Sequence, residues 1–352
     1  MGPKKICYHT PSLSSFAVKD VAILETSYQV KTFLFEPKKK WLTPWYFFTQ
    51  LIFLLKNHNA SAHVCQFAGY HSFLPSLLAR LTVSRNIIVV GGTDCVSFPE
   101  IGYGNFQKKL LGLFTCISLK NSSAIIAVDE SLVESENNYS ETNSKKQGFK
   151  NHCKNIKTPF KIIYNGYSNN FWNDTSPNQK TGDIISVAAG ITSNRRYVLK
   201  GIDLLVELAR RKPDLKITLV GGDLPPQINV PPNVTIIGSC NAERLRTLYS
   251  QHKFYAQLSI SEGFPNSICE AMLCGCIPIG SAVAAIPKII GEEGYLLNKR
   301  SIDELETLFN SIQKRDVSNL KPRERIMTNF SADLRKKEIL AYLLKLETKT
   351  VN

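Results

Sequence analysis

The sequence lacks the marks of several broad protein classes. No apolar run reaches the ~20 residues that span a bilayer; the longest, Trp41 to Leu55, is broken by Thr43, Pro44, Thr49 and Gln50. The N-terminus runs into Lys4-Lys5-Ile6-Cys7-Tyr8 without the apolar stretch a secretory signal sets behind its basic start. Export is not expected, and the chain reads as cytoplasmic. Nine cysteines, scattered from Cys7 to Cys276 without paired spacing, predict reduced thiols and no structural disulfide. No Gly-x-Gly-x-x-Gly follows a candidate strand, so a nicotinamide dehydrogenase has no support. There is no internal repeat or low-complexity tract. With 43% hydrophobic and 20% charged residues, 20 Gly and 17 Pro, collagen-like and disordered classes are also excluded.

What is present suits an enzyme-sized globular chain: 352 residues, roughly two domains' worth. Forty-three Lys and Arg stand against 29 Asp and Glu, a net +14. That excess favours an anionic partner such as a nucleotide phosphate, a nucleic acid or an acidic lipid surface. No nucleic-acid recognition motif accompanies it, so nucleic acid is not an expected partner.

Short β-branched runs alternate with helical patterns at Ile87 to Val90, Ala124 to Val128, Lys161 to Tyr164, Ile184 to Ala188, Lys216 to Val220, Val234 to Ile237 and Cys276 to Ile279. The alternation predicts α/β architecture with parallel sheets and right-handed crossovers. Residues 133 to 157, rich in Glu and then Lys, read as a solvated surface loop. Ser168 to Gly182 is a polar, turn-forming break where the chain divides. Residues 1–166 and 167–331 are the expected domains, and a closing helix from about 332 to 352 is expected to return to the first.

The most informative stretch is Ser261-Glu262-Gly263-Phe264-Pro265-Asn266-Ser267-Ile268-Cys269-Glu270-Ala271-Met272, followed by Leu273-Cys274-Gly275-Cys276-Ile277-Pro278. Gly263 permits an unusual turn, Pro265 suits the first helical position and Gly275 can end a helix of about ten residues. Glu262 then lies in the entering loop and Glu270 inside the helix. Amides around Asn266 and Ser267 would form an anion site at the helix start, with one acid on either side to accept from hydroxyls. A sugar on a diphosphate offers that combination.

This segment resembles the Glu-x7-Glu signature of retaining glycosyltransferases, in particular glycosyltransferase family 4 with its GT-B architecture. The resemblance implies two Rossmann-like domains with parallel sheets facing an interdomain cleft, the first binding acceptor and the second the nucleotide sugar. It places Glu262 by the donor sugar and Glu270 by the ribose hydroxyls, with Gly263, Phe264, Pro265, Asn266 and Ser267 around the donor. Lys200-Gly201 with Arg195 resembles the family's Arg-x4-Lys-Gly phosphate clamp, although the loop leaves open whether Arg195 or Arg196 reaches inward. Gly238 lies where base and sugar choice would be made. The family often has a glycine-rich loop after its first strand and a histidine after a later one; here His9 to Phe16 lacks those glycines and Gly91-Gly92-Thr93-Asp94 replaces the histidine. Asp94 is the nearest polar substitute for a sugar hydroxyl ligand, or equally a turn residue.

The resemblance implies a UDP- or GDP-sugar as co-substrate, no further cofactor, and a glycan or lipid-linked saccharide as acceptor. No Asp-x-Asp occurs, so Lys200 and an arginine would take a metal's place beside the diphosphate. Lys38-Lys39-Lys40 precedes Trp41, Trp45, Tyr46, Phe47, Phe48, Leu51, Ile52, Leu54 and Leu55, with Thr43 and Pro44 as cap and first turn. That pattern suits peripheral binding at the inner face of the cell membrane, or a helix buried on the first sheet. The alternative to catalysis is a non-catalytic nucleotide-sugar or nucleic-acid binding protein.

Overall fold

The structure is a computed structural model that describes residues 3–37, 39–82, 84–141, 145–175, 180 and 182–348. Lys38 of the lysine tract, residues 142–144 of the charged loop, and residues 176–179 and 181 of the polar break lie outside the described residues. The chain forms two compact units, one of residues 1–136, 146–164 and 336–352, the other of residues 137–145 and 165–335.

The first unit runs β1 (Lys5–Thr10), α1 (Ser15–Glu25), β2 (Gln29–Leu34), α2 (Thr43–Lys56), β3 (Ala62–Gln66), α3 (Tyr70–Leu81), β4 (Arg85–Val90), α4 (Lys109–Asn121), β5 (Ala124–Ala127), the two-residue strands β6 (Ser135–Glu136) and β7 (Lys146–Gln147), α5 (Phe149–His152) and β8 (Phe160–Ile162). Its main sheet is parallel in the order β2-β1-β3-β4-β5-β8. Strand order reverses after β2, so right-handed crossovers set α1 on one face and α2, α3 and α4 on the other. Phe47, Phe73 and Phe114 join the last three, with ring centroids 4.6 to 6.2 Å apart. Thr43 is the first residue of α2 and Leu42 its cap, so Thr43 does not cap the helix as expected.

The second unit runs β9 (Gly182–Val187), α6 (Asn194–Leu199), α7 (Ile202–Arg211), β10 (Ile217–Val220), β11 (Val234–Ile237), α8 (Ala242–Gln251), β12 (His252–Gln257), α9 (Asn266–Leu273), β13 (Ile277–Ser281), α10 (Ile286–Ile290), β14 (Tyr295–Leu297), α11 (Ile302–Gln313) and α12 (Pro322–Asn329). Its sheet is parallel in the order β11-β10-β9-β12-β13-β14. The last helix, α13 (Ala332–Thr348), sets Ile339 and Leu343 beside Leu24 of α1 and Val64, Ile87 and Ile126 of the first sheet.

Two further expectations are corrected. Cys116 of α4 and Cys153 after α5 form a disulfide, their Cα atoms 5.4 Å apart. Thirty-seven residues separate them, and only the folding of α5 back beside α4 brings them together, so spacing along the chain gave no sign of it. Residues 133 to 157 are not a solvated excursion. Val133, Tyr139, Gln147, Phe149 and Cys153 are buried, while the lysines between them at 145, 146, 150 and 154 are exposed. Residues 137–145 belong with the second unit because Asn137 donates to the Ile260 carbonyl, Tyr139 to that of Leu258, and the Arg300 amide to that of Tyr139.

Candidate functional site

In an open parallel sheet, ligands bind beyond the carboxyl ends of the strands where strand order reverses. In the second unit that place lies after β9 and β12. From β9 the chain passes through Ala188-Ala189-Gly190 into α6, capped by Ser193, whose side chain accepts from the Arg196 amide. Residues 194–199 thus form a short helix. Lys200 is its C-cap, and Gly201 turns the chain into α7 at φ +68°. A Cβ on Gly201 would stand 2.1 Å from the Leu258 carbonyl oxygen, so only glycine lets this turn lie against the end of β12. The Ile260 amide then bonds the Leu199 carbonyl at 2.8 Å.

That apposition brings Lys200 to Glu262, with Nζ 2.5 Å from Oε1. The same oxygen accepts from Ser259 Oγ at 2.7 Å and Gln257 Nε2 at 2.9 Å. Gln257 is held in turn by Tyr255 and Ser267, whose hydroxyls donate to its Oε1 at 2.6 and 3.0 Å. Burial pushes the Tyr255 phenol far above its ordinary pKa, keeping it a donor. One oxygen of Glu262 is therefore loaded with three donors, which fixes the carboxylate. Its side chain is 11% exposed and that of Lys200 24%; the pair is fixed by buried groups yet open on one side.

Helix α9 begins directly after this cluster. Its N-cap is Pro265, which makes no side-chain cap bond, so Pro265 stands one position earlier than expected and the helix has eight residues. Gly275 follows it at φ +79°. Glu270 is half-buried on α9, four residues on from Asn266 and so on the same helical face. Asn266 accepts from the Tyr167 hydroxyl at 2.8 Å. Gly263, Phe264 and Pro265 are buried; Phe264 packs on Tyr167 and Phe330, so its ring serves the core.

The remaining expected residues divide. Arg195 and Arg196 are both exposed; Arg196 bonds the Ala189 carbonyl at 2.9 Å, which lays it along Gly190 at the end of β9. Gly238 is exposed at the end of β11, with open space where a Cβ would stand. Asp94 is corrected as a catalytic residue. It lies in the first unit, wholly buried, and its two oxygens accept from the amides of Ala68, Gly91 and Gly92 at 2.9 to 3.1 Å. Burial raises its pKa while those amides pull it back. It clamps two loops together and presents no oxygen to a sugar. Among the described residues no three His, Cys, Asp or Glu side chains group so as to hold a metal ion.

Sequence reasoning missed Gln257, Ser259 and Tyr255. The signal available was polar side chains at the end of a run, Phe254 to Ile260, that otherwise reads as a buried strand; polar groups in that setting must be bonded to one another.

Comparison with known proteins bears on this same region. Residues 186–313 match the family model described as glycosyl transferases group 1. The matching subunit of human phosphatidylinositol N-acetylglucosaminyltransferase is 27% identical over 128 residues, 33% of this chain and 26% of that protein. D-inositol 3-phosphate glycosyltransferase of Mycobacteroides abscessus is 30% identical over 108 residues, 27% of this chain and 24% of that one. The chain thus spans about a quarter of the length of these relatives. Among solved structures, sucrose-phosphate synthase from Thermosynechococcus elongatus superposes with a TM-score of 0.74 at 14% identity, covering 98% of this chain and 100% of that one. Anabaena HepE in complex with UDP and glucose does so at 0.69 and 15%, covering 97% and 99%. The fold is that of GT-B glycosyltransferases, two Rossmann-like units each built on a parallel sheet.

Proposed function

We propose that the protein is a retaining glycosyltransferase of the family 4 type, moving a hexosyl group from a UDP- or GDP-sugar to a hydroxyl of a glycan or lipid-linked saccharide. The second unit holds the donor and the first the acceptor. The observation that carries this reading is the Lys200–Glu262 pair, fixed by Gln257 and Ser259 where strand order reverses and directly before α9.

Charge explains the arrangement. As the bond between the anomeric carbon and the diphosphate oxygen breaks, negative charge builds on that oxygen, and a cation already in place stabilises it most. The ammonium of Lys200 has three donors, enough for Glu262 and a phosphate oxygen together, and Arg195 or Arg196 supplies further positive charge. Glu262 holds Lys200 in place and accepts from a donor-sugar hydroxyl; Glu270 accepts from the ribose. The acceptor oxygen attacks from the face the diphosphate leaves, and its proton passes to the departing phosphate oxygen, so configuration is kept and neither a protein nucleophile nor a metal is required.

The test is transfer of labelled sugar from a panel of UDP- and GDP-hexoses, with the product's anomeric configuration read by NMR. Transfer with retention in the wild type and its loss in Glu262→Ala supports the reading. Donor binding without turnover under all acceptors, or an inverted product, contradicts it.

A further inference from the structure

We infer that the first unit docks on an anionic lipid bilayer through the outer face of α2. This goes beyond sugar transfer, and its test needs no donor.

Helix α2 carries no charge between Thr43 and Leu55 and is apolar on two sides. Its inner side is satisfied within the unit: Gln50 and Leu54 are buried, Phe47 packs on Phe73 and Phe114, and Phe53 on Phe33 and His9. Its outer side, continued by the turn before it, holds Trp41, Trp45, Phe48, Ile52 and Leu55 at intervals of four, three, four and three residues. That is one stripe ~21 Å long. Trp41 is 72% exposed, Trp45 60% and Leu55 61%. A helix apolar all round belongs inside a core or a membrane, and this one has only half of itself in a core.

The charge around the stripe selects the partner. Helices α2, α3 and α4, which cover this face of the sheet, contain Lys56, Arg80, Lys109 and Lys120 and no acid. Lys39 and Lys56 stand exposed at the two ends of the stripe. The opposite layer, α1 and α13, balances five acids against five bases. Over the whole unit 22 Lys and Arg face 11 Asp and Glu, a net +11, against 21 and 18, a net +3, in the second unit. A self-associating face gains nothing from uniform positive charge, which would repel its copy. An apolar stripe with basic ends fits anionic headgroups over acyl chains.

The chain has three tryptophans, and Trp172 is buried in the second unit, so a change in fluorescence reports the stripe. The protein is mixed with vesicles of phosphatidylcholine alone or with phosphatidylglycerol, and sedimentation and emission are followed. The wild type is expected to sediment with the anionic vesicles and shift its emission to the blue, less so in high salt. Trp45→Ser with Phe48→Ser and Leu55→Ser, exposed positions that leave the fold intact by circular dichroism, should bind at least about tenfold more weakly. Lys39→Glu with Lys56→Glu should lose the preference for anionic lipid. Wild-type protein that ignores both vesicles, or a triple variant that binds as the wild type does, overturns the proposal. So does a wild-type dimer in sedimentation equilibrium that the triple variant abolishes, since the stripe is then covered by a second copy.

Discussion

The two units share a doubly wound design and differ in what their helices show to solvent. Helix α7 of the second unit buries Ile202, Leu204, Leu205, Val206, Leu208 and Ala209 and turns outward Glu207, Arg210 and Arg211, tied to one another and to Asp303 and Glu306 of α11. Helix α2 of the first unit turns tryptophan, phenylalanine and leucine outward. Of seventeen large exposed apolar side chains among the described residues, fourteen lie in the first unit. Chemistry is divided in the same way. The second unit gathers its polar groups around one open carboxylate and one lysine, whereas the first buries them, with His9, His63 and Gln50 bonded in a row at 3.2 Å and Asp94 spent on backbone amides. One fold thus gathers a lysine and a carboxylate into an open pair in one unit and, in the other, ties its buried polar groups to one another and to the backbone.

Substitutions can break this contrast. The largest effect is expected at the charged site: Glu262→Gln keeps the shape and removes the charge that pins Lys200, and transfer should fall about 10²–10³-fold, read as kcat on the donor that supports turnover. Next is Gln257→Leu, which takes away one donor to Glu262 and the acceptor of two hydroxyls. Removing the acceptor of the buried Tyr255 and Ser267 hydroxyls should cost about 1–3 kcal/mol in denaturant unfolding, and kcat should fall while donor KM holds.

Acid separates the units. Burial pushes the imidazoles of His63 and His71 down to about 4 and holds that of His9 well below its ordinary value, with the neighbouring histidines adding to the shift at His9. Above about pH 6.5 these groups are neutral in both the folded and unfolded chain. As pH falls from there to about 4, the unfolded chain takes up protons that the folded one refuses, so stability declines over that window. The second unit has one histidine, His252, which burial also lowers. Hydrogen exchange between pH 7 and 4.5 should therefore show β1, β3 and α3 losing protection before β9 and β12. The smallest effect is expected at Ala284, held at φ +47° after β13: Ala284→Gly should relieve strain and raise stability by about 0.5–1 kcal/mol.

The strands that the sequence made legible are the ones rich in β-branched residues. Ile87 to Val90 and Val234 to Ile237 stand in β4 and β11 as expected, within two residues. Among the strands that escaped notice, β3 and β12 carry His63, Gln66, His252 and Gln257 in buried positions, and periodicity cannot tell a buried bonded polar residue from an exposed one. Those interruptions are where both units keep their hydrogen-bond networks. Around the candidate site, Glu262, Glu270 and Lys200 were legible because a turn, a proline and a glycine punctuate their segments. The support behind them was not, since Gln257 reaches Glu262 only once β12 is in place. The Asp94 clamp and the Cys116–Cys153 bond likewise depend on chain segments that meet only in the fold.

The central claim is that the second unit grips a nucleoside diphosphate through Lys200 beside Glu262. Thermal unfolding of wild type and Lys200→Ala, followed with increasing UDP and GDP, tests it most directly, because a ligand that binds only the folded state raises the midpoint, and raises it more the tighter it binds. The account predicts a midpoint that climbs with one or both nucleotides in the wild type and stays nearly flat in Lys200→Ala. A wild type unmoved by either nucleotide, or a variant that climbs as steeply, would contradict it.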